Sequence, residues 1–223
     1  MSYDGRVWRL AVVAIGASAC DYIWRVDAVA VVDGPALPLC SARVIDDSFG
    51  TTDLWGGASS HCNANGAEGN GQLVLQLEGG NACEQAWWAP QNAYVQIELT
   101  AGGVAVEVPI ATGEPEAYTS LQLNDTDVEL VVEQGNMKLT DQSLNTTYAE
   151  MPYDAQAMRW WRVRTDGTSL LADMSADATT WTTFATHTPT TLVTTTRLNI
   201  LLGYSIAPTA PASSTFTHLI VCQ

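Results

Sequence analysis

The chain has 223 residues, of which 9 are basic and 24 acidic, for a net charge of −15 with neutral histidine. Phosphate recognition depends on clustered Lys and Arg, so a surface of this sign excludes nucleic acid as a partner and is repelled by anionic lipid head groups. The length fits one domain of ordinary size with its own core.

Read from the start, Arg6 and Arg9 precede an apolar run, Leu10 to Ala19, which ends at Cys20. A positive start, a short apolar stretch and small residues before a cut have the order of a secretory signal, expected as an N-terminal signal helix. Asp4 departs from that pattern by placing a negative charge among the arginines. Ala17-Ser18-Ala19-Cys20 resembles the bacterial lipobox, with Ala17 where leucine is preferred. The resemblance implies removal of residues 1–19, acylation of Cys20, and a protein held by lipid to the membrane on the extracytoplasmic side of the cell envelope. No other apolar stretch approaches the ~20 residues that cross a bilayer, so the lipid would be the attachment. Removing residues 1–19 leaves 7 basic and 23 acidic residues, a net charge of −16.

Residues 20–39 read as a tether, because Gly34-Pro35-Ala36-Leu37-Pro38 resists regular structure, with one short strand at Val29 to Asp33. From Cys40 to the end, residues 40–223, short apolar or alternating runs are separated by Gly, Asn, Asp and Pro. The runs Gln72–Leu77, Tyr94–Leu99, Val104–Ile110, Val128–Val132, Trp160–Arg164 and Arg197–Leu202 predict strands. No helical apolar period interrupts them. Many short strands of this kind predict an all-β, two-sheet sandwich. Thr179 to Thr196 is threonine-rich, but Trp181, Phe184, Leu192 and Val193 and the strand propensity of threonine favour strands over a glycosylated stalk. Asn124-Asp125-Thr126 and Asn145-Thr146-Thr147 fit the glycosylation sequon and read as turns.

Cys40, Cys62, Cys83 and Cys222 show neither C-x-x-C spacing nor a histidine placed to complete a zinc site. In an exported protein two disulfides are expected, with three connectivities open.

Several phrases occur in a family order. Asp46-Asp47-Ser48-Phe49 with Leu54-Trp55, Gly71 to Leu75, Arg159 to Gly167, and Ser175-Ala176-Asp177-Ala178-Thr179-Thr180-Trp181 resemble successive segments of bacterial concanavalin A-like β-sandwiches. The last resembles an S-x-D-G-x-x-W hairpin with Ala178 in place of the turn glycine. Phe216 to Val221 would be the closing strand. The resemblance implies an antiparallel jelly roll of the lectin and glucanase kind, in which the first and last strands are neighbours. That placement implies Cys40–Cys222, leaving Cys62–Cys83 as the second bridge.

Two constellations carry chemistry. Asp125, Asp127 and Glu129 alternate with Thr126, Val128 and Leu130, so one strand would hold three carboxylates on one face. Same-face carboxylates resemble the catalytic pair of β-sandwich glucanases, although aromatics do not flank them and the order of acids differs. The alternative is a solvated acidic face, and Ca²⁺ would be the cation suited to it, although no calcium motif is present. On the strand Trp160 to Arg164, Trp160, Arg162 and Arg164 face one way and Trp161 and Val163 the other. The first set offers a stacking ring and guanidinium donors for a ligand. Trp87-Trp88 is the second aromatic candidate. His61, His187 and His218 lie in different segments and no G-x-S-x-G elbow exists, so nucleophilic catalysis has no motif. The expectation is a lipid-anchored module that recognises carbohydrate without cleaving it and needs no cofactor. A glucanase-type glycoside hydrolase and an adhesive lipoprotein binding another envelope protein are the alternatives.

Overall fold

The computed structural model describes residues 43–50, 56–80, 83–90, 97–126, 128–204 and 210–222. The expected signal helix, Cys20, the tether, Cys40 and Asp127 lie outside the described residues.

The first strands are β1 (Arg43–Asp47), β2 (Gly56–His61), β3 (Ala64–Gly69), β4 (Gln72–Leu77), β5 (Gln85–Pro90) and β6 (Ile97–Glu98). There follow β7 (Val104–Glu107), β8 (Ala117–Leu123), β9 (Val128–Glu133), β10 (Asn136–Asp141), β11 (Thr146–Pro152) and β12 (Trp160–Thr165). The last are β13 (Leu170–Ser175), β14 (Thr182–His187), β15 (Thr195–Thr196), β16 (Leu198–Tyr204), β17 (Ala212–Phe216) and β18 (His218–Cys222). No helix occurs among the described residues.

Two main sheets result: a six-stranded sheet ordered β1-β18-β7-β12-β13-β14 and a seven-stranded sheet ordered β11-β10-β9-β8-β16-β5-β2. Two smaller sheets, β15-β6 and β17-β4-β3, are also present among the described residues. The pairings are antiparallel, as the alternating sequence requires when one face of each sheet is packed and the other is not. Val104, Trp161, Val163 and Leu219 of the six-stranded sheet join Trp88, Leu121, Leu130 and Ile200 of the seven-stranded sheet in one buried apolar cluster. The side chains between them in sequence therefore face outward on one sheet or the other.

The expected neighbours at the chain ends do meet: β1 pairs antiparallel with β18, with Asp46 opposite Ile220. The expected single closing strand is instead two. Phe216 and Leu219 are both in the core although three residues apart, which period-two alternation does not permit without a break. The break is at Thr217, whose N–H bonds the Glu107 carbonyl at 3.2 Å, and β17 and β18 belong to different sheets. Of the threonine-rich stretch, β14 and β15 are strands and residues 188–194 between them are not. Gln134 and Gly135 both take positive φ, 52° and 75°, the arrangement of the tight hairpin that joins β9 to β10. Ala178 adopts φ 60°, the left-handed conformation that favours glycine. Its N–H is held by Ser175 Oγ at 3.0 Å, and its methyl is buried beside Trp160 and Ile220.

Cys62 and Cys83 form a disulfide, with Cα atoms 6.1 Å apart and a sequence separation of 21. Cys222 is also disulfide-bonded, and its partner lies outside the described residues. Replacing Cys62 and Cys83 together by serine is expected to cost about 3 kcal/mol, the chain-entropy value for a loop of this length. Guanidinium denaturation of the double variant measures it; an unchanged midpoint would show that the bridge does not constrain the unfolded chain.

Candidate functional site

The outer face of the seven-stranded sheet carries polar groups from several adjacent strands. On β9, Val128, Leu130 and Val132 enter the core, which leaves Glu129, Val131 and Glu133 outside. On β8 the outward set is Tyr118, Ser120 and Gln122, paired in register with Glu133, Val131 and Glu129. On β16 it is Asn199, Leu201 and Gly203, opposite Gln122, Ser120 and Tyr118. On β5 it is Gln85 and Trp87, opposite Gly203 and Leu201. Trp87 therefore shares a face with Glu129. It lies three strand spacings away across the sheet, about 14 Å, and two residues further along it.

Glu129 is 6% exposed. Gln122 Nε2 donates to its Oε1 at 3.0 Å and Gln142 Nε2 to its Oε2 at 2.7 Å, so both carboxylate oxygens are held by amides. Lys138, the single lysine of the chain, pairs with Glu133 at 2.9 Å. The phenol of Tyr118 accepts from Gln85 Nε2 at 3.3 Å. Burial pushes its pKa up to about 12, with the charge of Glu129 acting in the same direction. The phenol lies over Gly203, where a Cβ would come within 2.8 Å of the Tyr118 oxygen, so glycine is needed for this close approach. Two depressions meet at Glu129 and Gln142. One of about 230 Å³ is lined by Tyr118, Glu133, Lys138 and Thr140, and one of about 280 Å³ by Gln122, Asn124 and Arg197.

The expected acidic triad is not formed as a strand face. β9 begins at Val128, and Asp125 lies in the turn before it, because Thr126 closes that turn by donating Oγ1–H to the Leu123 carbonyl at 2.8 Å. Asp125 is engaged by Arg197, whose backbone N–H donates to Oδ2 at 2.7 Å and whose Nη2 donates to Oδ1 at 2.9 Å. The hydrogen bonds from Arg197 hold the Asp125 carboxyl below the usual range. Of the expected set, only Glu129 stands on the sheet face within the described residues.

Of the adjacent pair Trp87-Trp88, Trp88 is the one in the core. It is fully buried and meets Phe49 edge to face at 5.7 Å, so Trp87 alone of the pair faces outward.

Trp160, Arg162 and Arg164 do share a face, but it is the outer face of the six-stranded sheet, away from Glu129. Trp160 is 8% exposed and Arg162 4%, so neither lies open as a stacking ring or donor should. Asp173, opposite Arg162 on β13, explains the arrangement. Its Oδ2 accepts from Arg162 Nε at 2.7 Å and from Arg164 Nε at 2.7 Å, and its Oδ1 accepts from Thr183 at 2.6 Å. Burial by itself raises the Asp173 pKa, yet the hydrogen bonds from Arg164 and Thr183 and the charge of Arg162 outweigh it and leave the carboxyl below its usual range. The Trp181 ring covers the Arg162 guanidinium at 4.2 Å, and its own Nε1 donates to the Ala178 carbonyl at 3.0 Å.

The histidines are separate. His61 is exposed at the end of β2, His187 stacks on Tyr148 at 3.8 Å, and His218 contacts Asp46 at 2.5 Å. Among the described residues no group of three or more His, Cys, Asp or Glu side chains could hold a metal ion. Sequence reading missed Tyr118, Gln122, Gln142 and Asn199. The alternation of polar with apolar residues in β8 and β16 was the signal available for three of them.

No protein-family model matches the chain and no curated protein matches its sequence. Solved structures do match it. The fold is similar to that of LamAcat from Zobellia galactanivorans, at 8% identity over 82% of this chain and 98% of that one, with a TM-score of 0.56. SCLam, a non-specific endo-β-1,3(4)-glucanase from family GH16, matches at 9% identity over 85% and 93%, with a TM-score of 0.55. A GlcNAcα1-4Gal-releasing endo-β-galactosidase from Clostridium perfringens matches at 10% identity over 86% and 65%, with a TM-score of 0.54. The chain thus has the concanavalin A-like, glucanase-type jelly-roll fold. At these identities the likeness is one of fold, and function must be argued from the site.

Breaking the Asp173 cluster should be costly, because it leaves two guanidiniums uncompensated in a buried place. Asp173→Asn is expected to lose about 3–5 kcal/mol at pH 7. A carboxyl with a depressed folded pKa stabilises above its unfolded value of about 4 and loses that contribution as pH falls through the folded one. The gap between wild type and variant should therefore narrow below about pH 4. Denaturant melts at pH 7 and pH 3 measure both; a gap that is absent at pH 7 or constant with pH would contradict the assignment.

Proposed function

We propose that this protein is a lipid-anchored extracytoplasmic module that binds carbohydrate without cleaving it, through the outer face of the seven-stranded sheet. The observation that carries the reading is one face holding Trp87 and Tyr118 together with Gln122, Asn199 and Glu129. An aromatic ring for a sugar face, flanked by amide and carboxylate groups for hydroxyls, is the chemistry that binding a neutral glycan asks for. The distance from Trp87 to Glu129 suits an extended oligosaccharide lying across the strands. Similarity to glycan-cleaving enzymes of the same fold supports the ligand class. Engagement of both Glu129 oxygens by amides and of Asp125 by Arg197 favours binding over hydrolysis. A hydrolase remains the second reading because Glu129 and Glu133 share this face; reducing-sugar release from β-glucans that is lost in Glu129→Gln would establish it. Attachment through Cys20 rests on the lipobox-like sequence, and an envelope protein as partner has no feature of its own in support.

A glycan array with wild type, Trp87→Ala and Trp160→Ala is the test of the binding face. Trp87→Ala should weaken binding roughly tenfold or more, the scale of one lost stacking contact with its buried area, and Trp160→Ala should leave the bound set unchanged. Loss on Trp160→Ala with retention on Trp87→Ala would overturn the choice of face, and no glycan bound by wild type would overturn the function. For the anchor, metabolic palmitate labelling of the full chain in a bacterial host should be present and should vanish in Cys20→Ala. Label that survives the substitution would place the acyl chain elsewhere.

A further inference from the structure

On the outer face of the six-stranded sheet one cluster of charges is unequal, with two guanidiniums on one carboxylate, and the glycan face does not account for it. Arg162 and Arg164 stand two residues apart on the outward side of β12 and share a single carboxylate. Arg162 directs Nε and Nη2 to Asp173 Oδ2, at 2.7 and 2.6 Å, and is closed over by the Trp181 ring. Arg164 directs only Nε to that oxygen. Its two Nη groups have no hydrogen-bond partner among the described residues, and its side chain is 22% exposed, against 5% for Arg162 and 1% for Asp173. The other oxygen of Asp173 accepts from Thr183 at 2.6 Å, not from Arg164. Asp166, the next carboxylate along the chain, is engaged by its own turn, accepting from the Thr168 and Ser169 N–H groups at 2.9 and 2.8 Å. Two cations and one anion, mostly removed from water, leave one positive charge uncompensated on a protein that is otherwise strongly acidic.

We propose that Arg164 is the binding residue of an oxyanion site, taking one carboxylate or sulfate group on the Nη edge of its guanidinium. Arg164 suits the task because its Nε bond to Asp173 fixes the plane of the fork, so little side-chain freedom is lost on binding. The free edge presents parallel N–H donors to two oxygens. The anion would complete an alternating chain of four charges: Arg162, Asp173, Arg164 and the ligand. The negative field of the whole protein opposes anions at long range, but it is screened beyond about 8 Å at physiological ionic strength, while the contact at Arg164 is not. The site does not depend on the glycan reading, since the two lie on the outer faces of different sheets.

Proton–nitrogen NMR of the full chain titrated with sodium sulfate or sodium glucuronate, against sodium chloride at matched ionic strength, tests the proposal. The Arg162 Nε and Trp181 indole resonances report on the site without belonging to Arg164. They should shift saturably with one or both oxyanions and not with chloride, and which titrant acts separates the sulfate source from the carboxylate one. In Arg164→Gln the apparent affinity should fall at least about tenfold, the value of one charged hydrogen bond, while the Arg162 Nε resonance keeps its place and so shows that the Asp173 pair is intact. Should that variant fail to fold, Arg164→Lys serves, with weaker binding expected because an ammonium cannot hold Asp173 and present a fork together. No saturable shift with either oxyanion, or unchanged affinity in the variants, would overturn the proposal. Either result would leave Trp87-dependent glycan binding unaffected.

Discussion

The structure depends on one apolar layer shared by two sheets. Each strand of those two sheets gives alternate side chains to that layer, and the side chains between them are sorted to one of two outer faces on opposite sides of it. Neighbours in sequence are thereby sent apart: Trp88 and Trp161 fill the core, while Trp87 and Trp160 emerge on different sheets. Residues far apart in sequence are brought together by the same rule. Gln85, Tyr118, Glu129 and Asn199 come from four strands and share one surface.

The two outer faces solve different problems. On the six-stranded sheet, Trp160, Ala178, Ile220 and Cys222 form a second apolar cluster under Trp181, and the charges nearby are buried with it. Burying Arg162 and Asp173 is tolerable because each oxygen of the carboxylate has a donor and the guanidinium has a ring over it. On the seven-stranded sheet Glu129 is also buried, but its two oxygens are held by neutral amides rather than by arginines. A carboxylate oriented by amides keeps its direction and can accept from a sugar hydroxyl.

Much of the fold was legible because strand alternation is local. Gln72–Leu77 is β4 as read, and Trp160–Arg164 and Val128–Val132 fall within one residue of β12 and β9. Asn124 to Thr126 was legible as a turn for the same reason, since Thr126 closes it through a residue three positions away. The rest depends on partners distant in sequence. Nothing near Asp125 announces Arg197, 72 residues on, and without it the carboxylate looks free for chemistry. Nothing near Arg162 distinguishes an open donor from one closed by Asp173 and Trp181. The break at Thr217 escaped because Phe216 to Val221 is apolar enough to read as one strand; only the offset between Phe216 and Leu219 in the core betrays the change of sheet.

Hydrogen exchange with and without a saturating bound oligosaccharide tests the central claim most directly, because it reports on backbone amides and needs no substitution. Added protection is expected in β5, β16, β8 and β9, and none in β12 and β13. Protection confined to β12 and β13 would contradict that claim, placing the ligand on the outer face of the six-stranded sheet.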